Sequence, residues 1–394
     1  MKLSRFGRTA LASVVSLGLG FGVVACGPAN TIDFLYVTSS KQNPGQINVY
    51  KVDSQVGALL PLNTSPYSSG GADPVADAAS PNGKNLYVVN HDSSTIVVFA
   101  ISTDGTITQQ QSCSVPGSLP TQVAINKAGT YLYVVETYQP NYSANTPGPG
   151  AVVVYPINDT GQLGASSNSC TPVANGSNSF FPAGNNPVAV NVTANGNYVY
   201  AVNESDATIS AFQVGSSGAL TSNGTFPVGV APNAIASDPT SKFLYITDGA
   251  ANQLIGFLIQ TNGTLIAMQT PFKTDILPNS VQVDTRGIYV YVANYGANDV
   301  SAYTIDRATG NATQIAGTTT YSVDAGPTCI LIEPAEARYV YTTNFLGSTV
   351  SGLSLNPATG ALAPVQNTPF RATGQPTCSA AIAHGNHAIE IIQP

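Results

Sequence analysis

The sequence predicts an all-β protein, a seven-bladed β-propeller whose last blade is assembled from both chain ends. Three observations predict it. Only 8% of the 394 residues are charged, while Gly (37) and Pro (27) are abundant, which suits short strands and tight turns rather than helices. The hairpin "NLYVVNHDSSTIVVF" at 85–99 returns as "NYVYAVNESDATISAF" at 197–212 and "IYVYVANYGANDVSAY" at 288–303. The repeat also starts and stops in mid-unit.

Each unit reads as four strands, A to D. A proline opens strand A: Pro74, Pro120, Pro187, Pro232, Pro278, Pro327 and Pro376. About a dozen residues later an apolar-Tyr-apolar triplet marks strand B, centred on Tyr36, Tyr87, Tyr133, Tyr200, Tyr245, Tyr291 and Tyr341. A polar turn and a run such as "TIVVFAI" give strand C. A Gly-containing turn and a segment such as "GALLPL" give strand D. One such sheet buries both faces only by stacking on neighbours, so the unit must repeat until a ring closes. The chain opens at strand B (Phe34–Thr38) and finishes with a lone strand A (Thr377–Ala383), so the two ends complete one blade and leave no open ring edge. The tail "AIEII" (388–392) is a further strand-like piece, able to compete for strand B or lie at an edge. The Tyr and Val of strand B are expected to pack between blades, and the Asn that ends it (Asn90, Asn203, Asn294, Asn344) to bond the backbone of its turn.

The first 25 residues stand apart. Lys2, Arg5 and Arg8 precede an apolar run from Ala10 to Val24 that ends in Val23-Val24-Ala25-Cys26. The run suits a secretory signal better than a membrane span. Its end resembles a bacterial lipobox, which makes Cys26 the lipidated first residue of the mature chain, with 26–32 as tether and 33–394 as propeller. The protein is then expected outside the cytoplasm, held to a membrane by lipid and facing the periplasm or cell exterior. Thirteen basic residues less those three leave ten against twenty acids, a net charge of −10 with no basic stripe, which argues against nucleic acid as a partner. A closed ring needs no second subunit, so a monomer is expected.

The "YVVN…STIVVF" and "PNGKNLYV" segments resemble the YVTN-type repeats of the lactonase family, seven-bladed propellers similar to bacterial 6-phosphogluconolactonase. The resemblance covers residues 33–383 and implies hydrolysis of a lactone, without a cofactor. Family hydrolases carry a segment like G-P-R-H-x-x-F-H-P ahead of a strand ending V-N-E. Here Val202-Asn203-Glu204 matches the ending, but the preceding Asn186–Ala194, like Ala231–Pro239 of the next unit, lacks the Arg and both His. Of the groups a lactonase needs, a base and an oxyanion partner, Glu204 supplies only the first. His91 holds in the first full unit the slot that Glu204 holds in the third. These two are the candidate catalytic residues, set against a plain role as solvated turn residues.

Strand A starts at the top of the ring, so the D–A and B–C connections share the top face and the A–B and C–D turns the bottom. Two segments break the period. Tyr138–Gly150 lengthens a B–C loop and Ala165–Asn186 the following D–A loop. Both are expected on top, presenting Tyr138, Tyr142, Phe180 and Phe181 to a carbohydrate or protein ligand, or else packing on themselves. Such a surface is the alternative to catalysis: a binding propeller. Lys273 and Arg371 occupy matching "TPFK" and "TPFR" slots near the top with Lys41, a scatter too thin for a dedicated phosphate pocket. His384 and His387 lack a third partner, so no metal is expected. Cys329 and Cys378 share one register in consecutive strand A segments and are expected to form a disulfide, against the alternative of two buried thiols. Cys113 and Cys170 lie at or after strand D of adjacent units. If lipid is the only anchor, Cys26→Ser should move the protein from the membrane pellet to the soluble fraction, and unchanged fractionation would remove the lipobox.

Overall fold

The computed structural model describes residues 31–316 and 320–385. Cys26, His387 and the 388–392 segment lie outside them. Seven antiparallel sheets form a ring, and among the described residues there is no helix. Blade 1 comprises Pro74–Ala79, Asn85–Asn90, Thr95–Ile101 and Ile107–Ser114. Blades 2 to 6 begin with Ser118–Ile125, Pro187–Val192, Pro232–Ser237, Pro278–Val283 and Pro327–Ile332. Blade 7 takes strand A from Pro376–Ala383, strand B from Thr31–Ser39 and strand C from Gln46–Asp53. Tyr36 pairs with Ala380 across the two ends, as the mid-unit start requires. Strand B begins at Thr31, so Thr31 and Ile32 belong to the sheet rather than to a tether; Ile32 is fully buried.

Strand A lines the centre in every blade, and the seven strands A touch in a closed circuit, the last against the first. This innermost edge has no further strand to pair with, so proline at its first position costs no ladder bond. Polar side chains one residue after these prolines reach the next blade. Thr121 donates to the Pro187 carbonyl (2.8 Å), Asn233 to Pro278 (2.8 Å), Asn279 to Thr328 (3.3 Å), Thr328 to Pro376 (3.2 Å) and Thr377 to Pro74 (2.7 Å).

The strand B tyrosines form a second, outer circuit. Tyr36 donates to the Gly105 carbonyl (3.2 Å), Tyr87 to Gly161 (2.7 Å), Tyr200 to Gly263 (2.9 Å), Tyr245 to Gly310 (2.7 Å), Tyr291 to Gly360 (2.9 Å) and Tyr341 to Gly57 (2.8 Å). Each glycine sits in the C–D turn of the following blade. A side chain there is doubly excluded: Gly310 has φ +76°, and a Cβ would lie 2.4 Å from Phe243, two residues before the tyrosine that binds its carbonyl. Tyr133 is the exception, because its buried hydroxyl finds no partner.

The Asn ending strand B is structural, but its amide bonds mainly to the side chains of strand C rather than to the turn backbone. Asn203 reaches Thr208 (3.0 Å) and Ser210 (2.9 Å), Asn294 reaches Asp299 (2.7 Å) and Ser301 (2.8 Å), and Asn344 reaches Thr349 (3.0 Å) and Ser351 (2.9 Å). Only Asn90 donates to a backbone carbonyl, Ser69 (3.3 Å). The register explains this, since the Asn lies directly opposite a polar residue that opens strand C.

The sulfurs of Cys329 and Cys378 are bonded across blades 6 and 7 with Cα atoms 4.9 Å apart, and those of Cys113 and Cys170 across blades 1 and 2 at 5.5 Å. Removing one tyrosine hydroxyl leaves a buried carbonyl short of a donor, so Tyr245→Phe should cost about 1–2 kcal/mol in denaturant unfolding. Tyr133→Phe, which gives up no bond, should cost nothing. Equal losses for the two would refute the hydroxyl's part in joining the blades.

Candidate functional site

The inner top edge of the ring is built the same way in six blades. The residue after strand B donates its N–H to the carbonyl just before the opening proline of strand A or its equivalent. These rungs are Ser40 to Gln375 (3.0 Å), His91 to Asp73 (2.9 Å), Glu204 to Asn186 (3.0 Å), Gly249 to Ala231 (3.0 Å), Tyr295 to Leu277 (2.8 Å) and Phe345 to Gly326 (2.8 Å). Because strand A is innermost, these pairs surround the mouth of the channel.

Both candidate catalytic residues are rim residues. Glu204 is half-buried, and its carboxylate accepts from the Asn186 amide at 2.8 Å. His91 Nδ1 lies 2.8 Å from Asp92 and 3.8 Å from Asp73. Donation from Nδ1 to Asp92 leaves Nε2 as the nitrogen able to act on a ligand. Burial raises the Asp73 carboxyl above its usual range, with the charge of Asp92 adding to it and His91 opposing. The ligand atoms of Asp73, His91 and Asp92 lie within 4.8 Å of one another, an acidic cluster held together by the His91–Asp92 hydrogen bond. Glu204 stands two blades away, with Asn186 as its own partner; the structure sets the two residues on one rim without joining them.

The remaining candidates separate. The segment from Ala165 does not lengthen a D–A loop. It falls within strand D of blade 2, between Leu163, which is bridged to Ile157, and the Phe181–Pro182 strand that pairs with Ala151 and Val152, with Val173 donating to the Val154 carbonyl between them. The outermost strand has no neighbour beyond it, so an insertion there breaks no ladder. Phe181 is therefore core, Phe180 packs on the interior between blades 1 and 2, and neither is offered to a ligand on top. The B–C loop does lie on top. Its Tyr138 is the half-buried last residue of strand B, and Tyr142, 42% exposed, covers Gly148 of its own loop. Lys273 and Arg371 sit on outermost strands of blades 4 and 6, where their carbonyls accept from Tyr303 and Tyr50. They face no common point. His384 donates its backbone N–H to Ile32 and stacks edge-on against Phe34. Two clefts of about 560 and 590 Å³ lie away from the mouth, between the bottom turns of blades 2 and 3 and along the outer edge of blade 4.

One residue escaped the sequence reading. Glu136 fills in blade 2 the slot held by Asn in blades 1, 3, 5 and 6, by Asp248 in blade 4 and by Ser39 in blade 7, and strand C places Ala151 opposite it instead of a polar side chain. It is fully buried, with one carboxylate oxygen accepting from the Gly117 N–H at 2.9 Å and the other unpartnered. Burial pushes its carboxyl up to about 8. The substitution of Glu for Asn in one repeat was the available signal.

The fold is a seven-bladed propeller, and its rim sets His91 and Glu204 at the mouth of the channel. The model of the lactonase family of seven-bladed β-propellers matches residues 75–144, 150–276 and 183–387; the chain belongs to that family. It is 26% identical over 339 residues to the 6-phosphogluconolactonase of Serratia proteamaculans, covering 76% of this chain and 98% of that protein. The Yersinia pestis 6-phosphogluconolactonase is 26% identical over 347 residues, 77% and 98% of the two chains. The periplasmic gluconolactonase of Pseudomonas aeruginosa superposes with a TM-score of 0.74 at 18% identity over 90% of this chain and 100% of its own, a likeness of fold.

A neutral Glu136 is easily buried and an ionised one is not. Its contribution to stability is complete below the unfolded value near 4.5 and is lost as pH rises through 8, at up to about 1.4 kcal/mol per pH unit. Glu136→Gln should therefore match the wild type at pH 4.5 and exceed it in unfolding free energy at pH 8.5. Parallel pH profiles would show that the carboxyl is not buried in solution.

Proposed function

We propose that this chain is an exported, lipid-anchored lactone hydrolase acting at the top mouth of the ring. The observation that carries the reading is the rim pair Glu204–Asn186, which supplies an oriented carboxylate beside the channel in a chain of the lactonase family. Glu204 takes a proton from water as the oxygen adds to the lactone carbonyl. Collapse of the tetrahedral intermediate breaks the ring C–O bond, and the proton passes to the departing alkoxide to give a hydroxy acid. His91, with Asp73 and Asp92 around Nδ1, is the second acid–base group on the same rim.

Export is supported by the Lys2-Arg5-Arg8 segment and the Val23–Cys26 motif, and by the periplasmic name of one structural relative. The family's Arg/His segment has no counterpart at Asn186–Ala194, so the reaction proposed relies on the rim carboxylate rather than on that segment. Hydrolysis followed by proton release should fall about 100-fold in Glu204→Gln with the unfolding midpoint unchanged. Activity indifferent to the change would place the site elsewhere. Turnover of no lactone would leave a non-catalytic propeller binding a carbohydrate or protein.

A further inference from the structure

The six rim rungs differ in chemistry according to position. Around blade 2 the rim is polar: His91 with Asp73 in blade 1, and Glu204 with Asn186 in blade 3. Diametrically opposite blade 2 in a ring of seven lies the junction of blades 5 and 6, and there the rungs are Tyr295 with Leu277 and Phe345 with Gly326. The neighbouring residues extend this apolar arc. Ile276 is 53% exposed, Leu277 46% and Leu346 58%. The arc is continuous across the two blades: a Cβ on Gly326 would meet both Leu346 (2.8 Å) and Tyr295 (3.1 Å), and one on Gly296 both Ile276 (2.8 Å) and Leu277 (3.2 Å).

Leu277 is doubly unfavourable where it stands. Its φ is +53°, a conformation that costs a branched side chain energy and glycine nothing. The same slot has a positive φ in other blades, at Asp73 (+52°), Leu119 (+55°), Asn186 (+50°) and Gly326 (+67°). The leucine is also half in water. The strain belongs to the slot; what sets Leu277 apart is an exposed apolar side chain there, continuous with Ile276, Tyr295 and Leu346, and an exposed apolar patch at a mouth is the pattern of a ligand contact.

Charge narrows the ligand further. The top-face connections carry Asp73, Asp92, Glu204, Asp206, Asp275 and Asp324, and among the described residues Lys41 is the one cation on them. Lys273 and Arg371 are on outermost strands. An anionic or phosphorylated sugar meets repulsion here and no converging donors.

We infer that the mouth is an amphiphilic seat for an uncharged lactone bearing an aliphatic arm. The ring faces the polar arc of blades 1 and 3, and the arm lies on Leu277, Tyr295, Phe345 and Leu346. This rests on the lactonase reading and names its substrate class.

The test compares two lactones that share one ring, δ-valerolactone and δ-decalactone, which differ only in a pentyl chain. Binding to the full chain is read by calorimetry, and hydrolysis separately by proton release. δ-Decalactone should bind at least about tenfold tighter. Leu277→Gly and Leu346→Ser should each erase most of that gain and leave δ-valerolactone unaffected. Leu277→Gly relieves the backbone strain, so its melting temperature should hold or rise, which separates a lost contact from a lost fold. Equal affinity for the two lactones, a gain that survives both variants, binding of neither lactone, or tighter binding of 6-phosphogluconate would each overturn the inference. Chain-dependent binding without turnover would sink the lactonase reading alone; turnover without a chain preference would sink this one alone.

Discussion

Everything in this molecule depends on a hydroxyl that crosses from one blade to the next. A four-stranded sheet of this size cannot shield both its faces, and stacking alone is non-directional. The strand B tyrosine supplies direction. Its ring fills the space between two sheets, and its O–H ends on a turn carbonyl of the next blade that would otherwise be buried without a donor. The acceptor turn needs a glycine because the preceding blade also presses a side chain, most often aromatic, against its Cα. Three positions thus specify a junction, and six of the seven junctions are closed by them. The inner belt of Thr and Asn side chains around the channel repeats the same linkage at a smaller radius.

With the scaffold fixed by a repeat, departures from the repeat become informative. Glu204 and His91 sit one residue beyond the Asn that locks each hairpin, at a position the junctions do not use. The rim is free to vary there, and it varies by sector: polar about blade 2 and apolar across the ring. Glu136 departs one position earlier, inside the lock, and so acts on stability rather than on the mouth. That division explains why its carboxyl is neutralised by burial while Glu204 keeps an amide partner and contact with solvent.

The repeat made most of the fold legible. The prolines, tyrosines and turn glycines are covalent markers of geometry, and the mid-unit start dictates a blade shared between chain ends. The site was less legible, for physical reasons. An insertion of uneven length does not reveal whether it interrupts a strand or a loop, so Phe181 read as a top-face aromatic when it completes a sheet. Lys273 and Arg371 share a slot in the repeat, but equal slots in different blades stand around a circle and do not converge. The apolar arc is invisible along the chain, since Tyr295 meets Leu277 only through the pairing of strands A and B in blade 5, and Leu346 joins them only once blades 5 and 6 are set side by side.

Sharing one blade between the two ends also imposes an order on biogenesis. Strand B of that blade, Thr31–Ser39, is made before every other described strand, and its inner partner, Pro376–Ala383, after all of them. Until the final strand arrives, the first has an unpaired inner edge and the ring stays an open arc whose ends are sheet edges. The ring therefore cannot close before Pro376–Ala383 has been made. The same delay leaves an exposed apolar edge in need of protection until that last strand pairs.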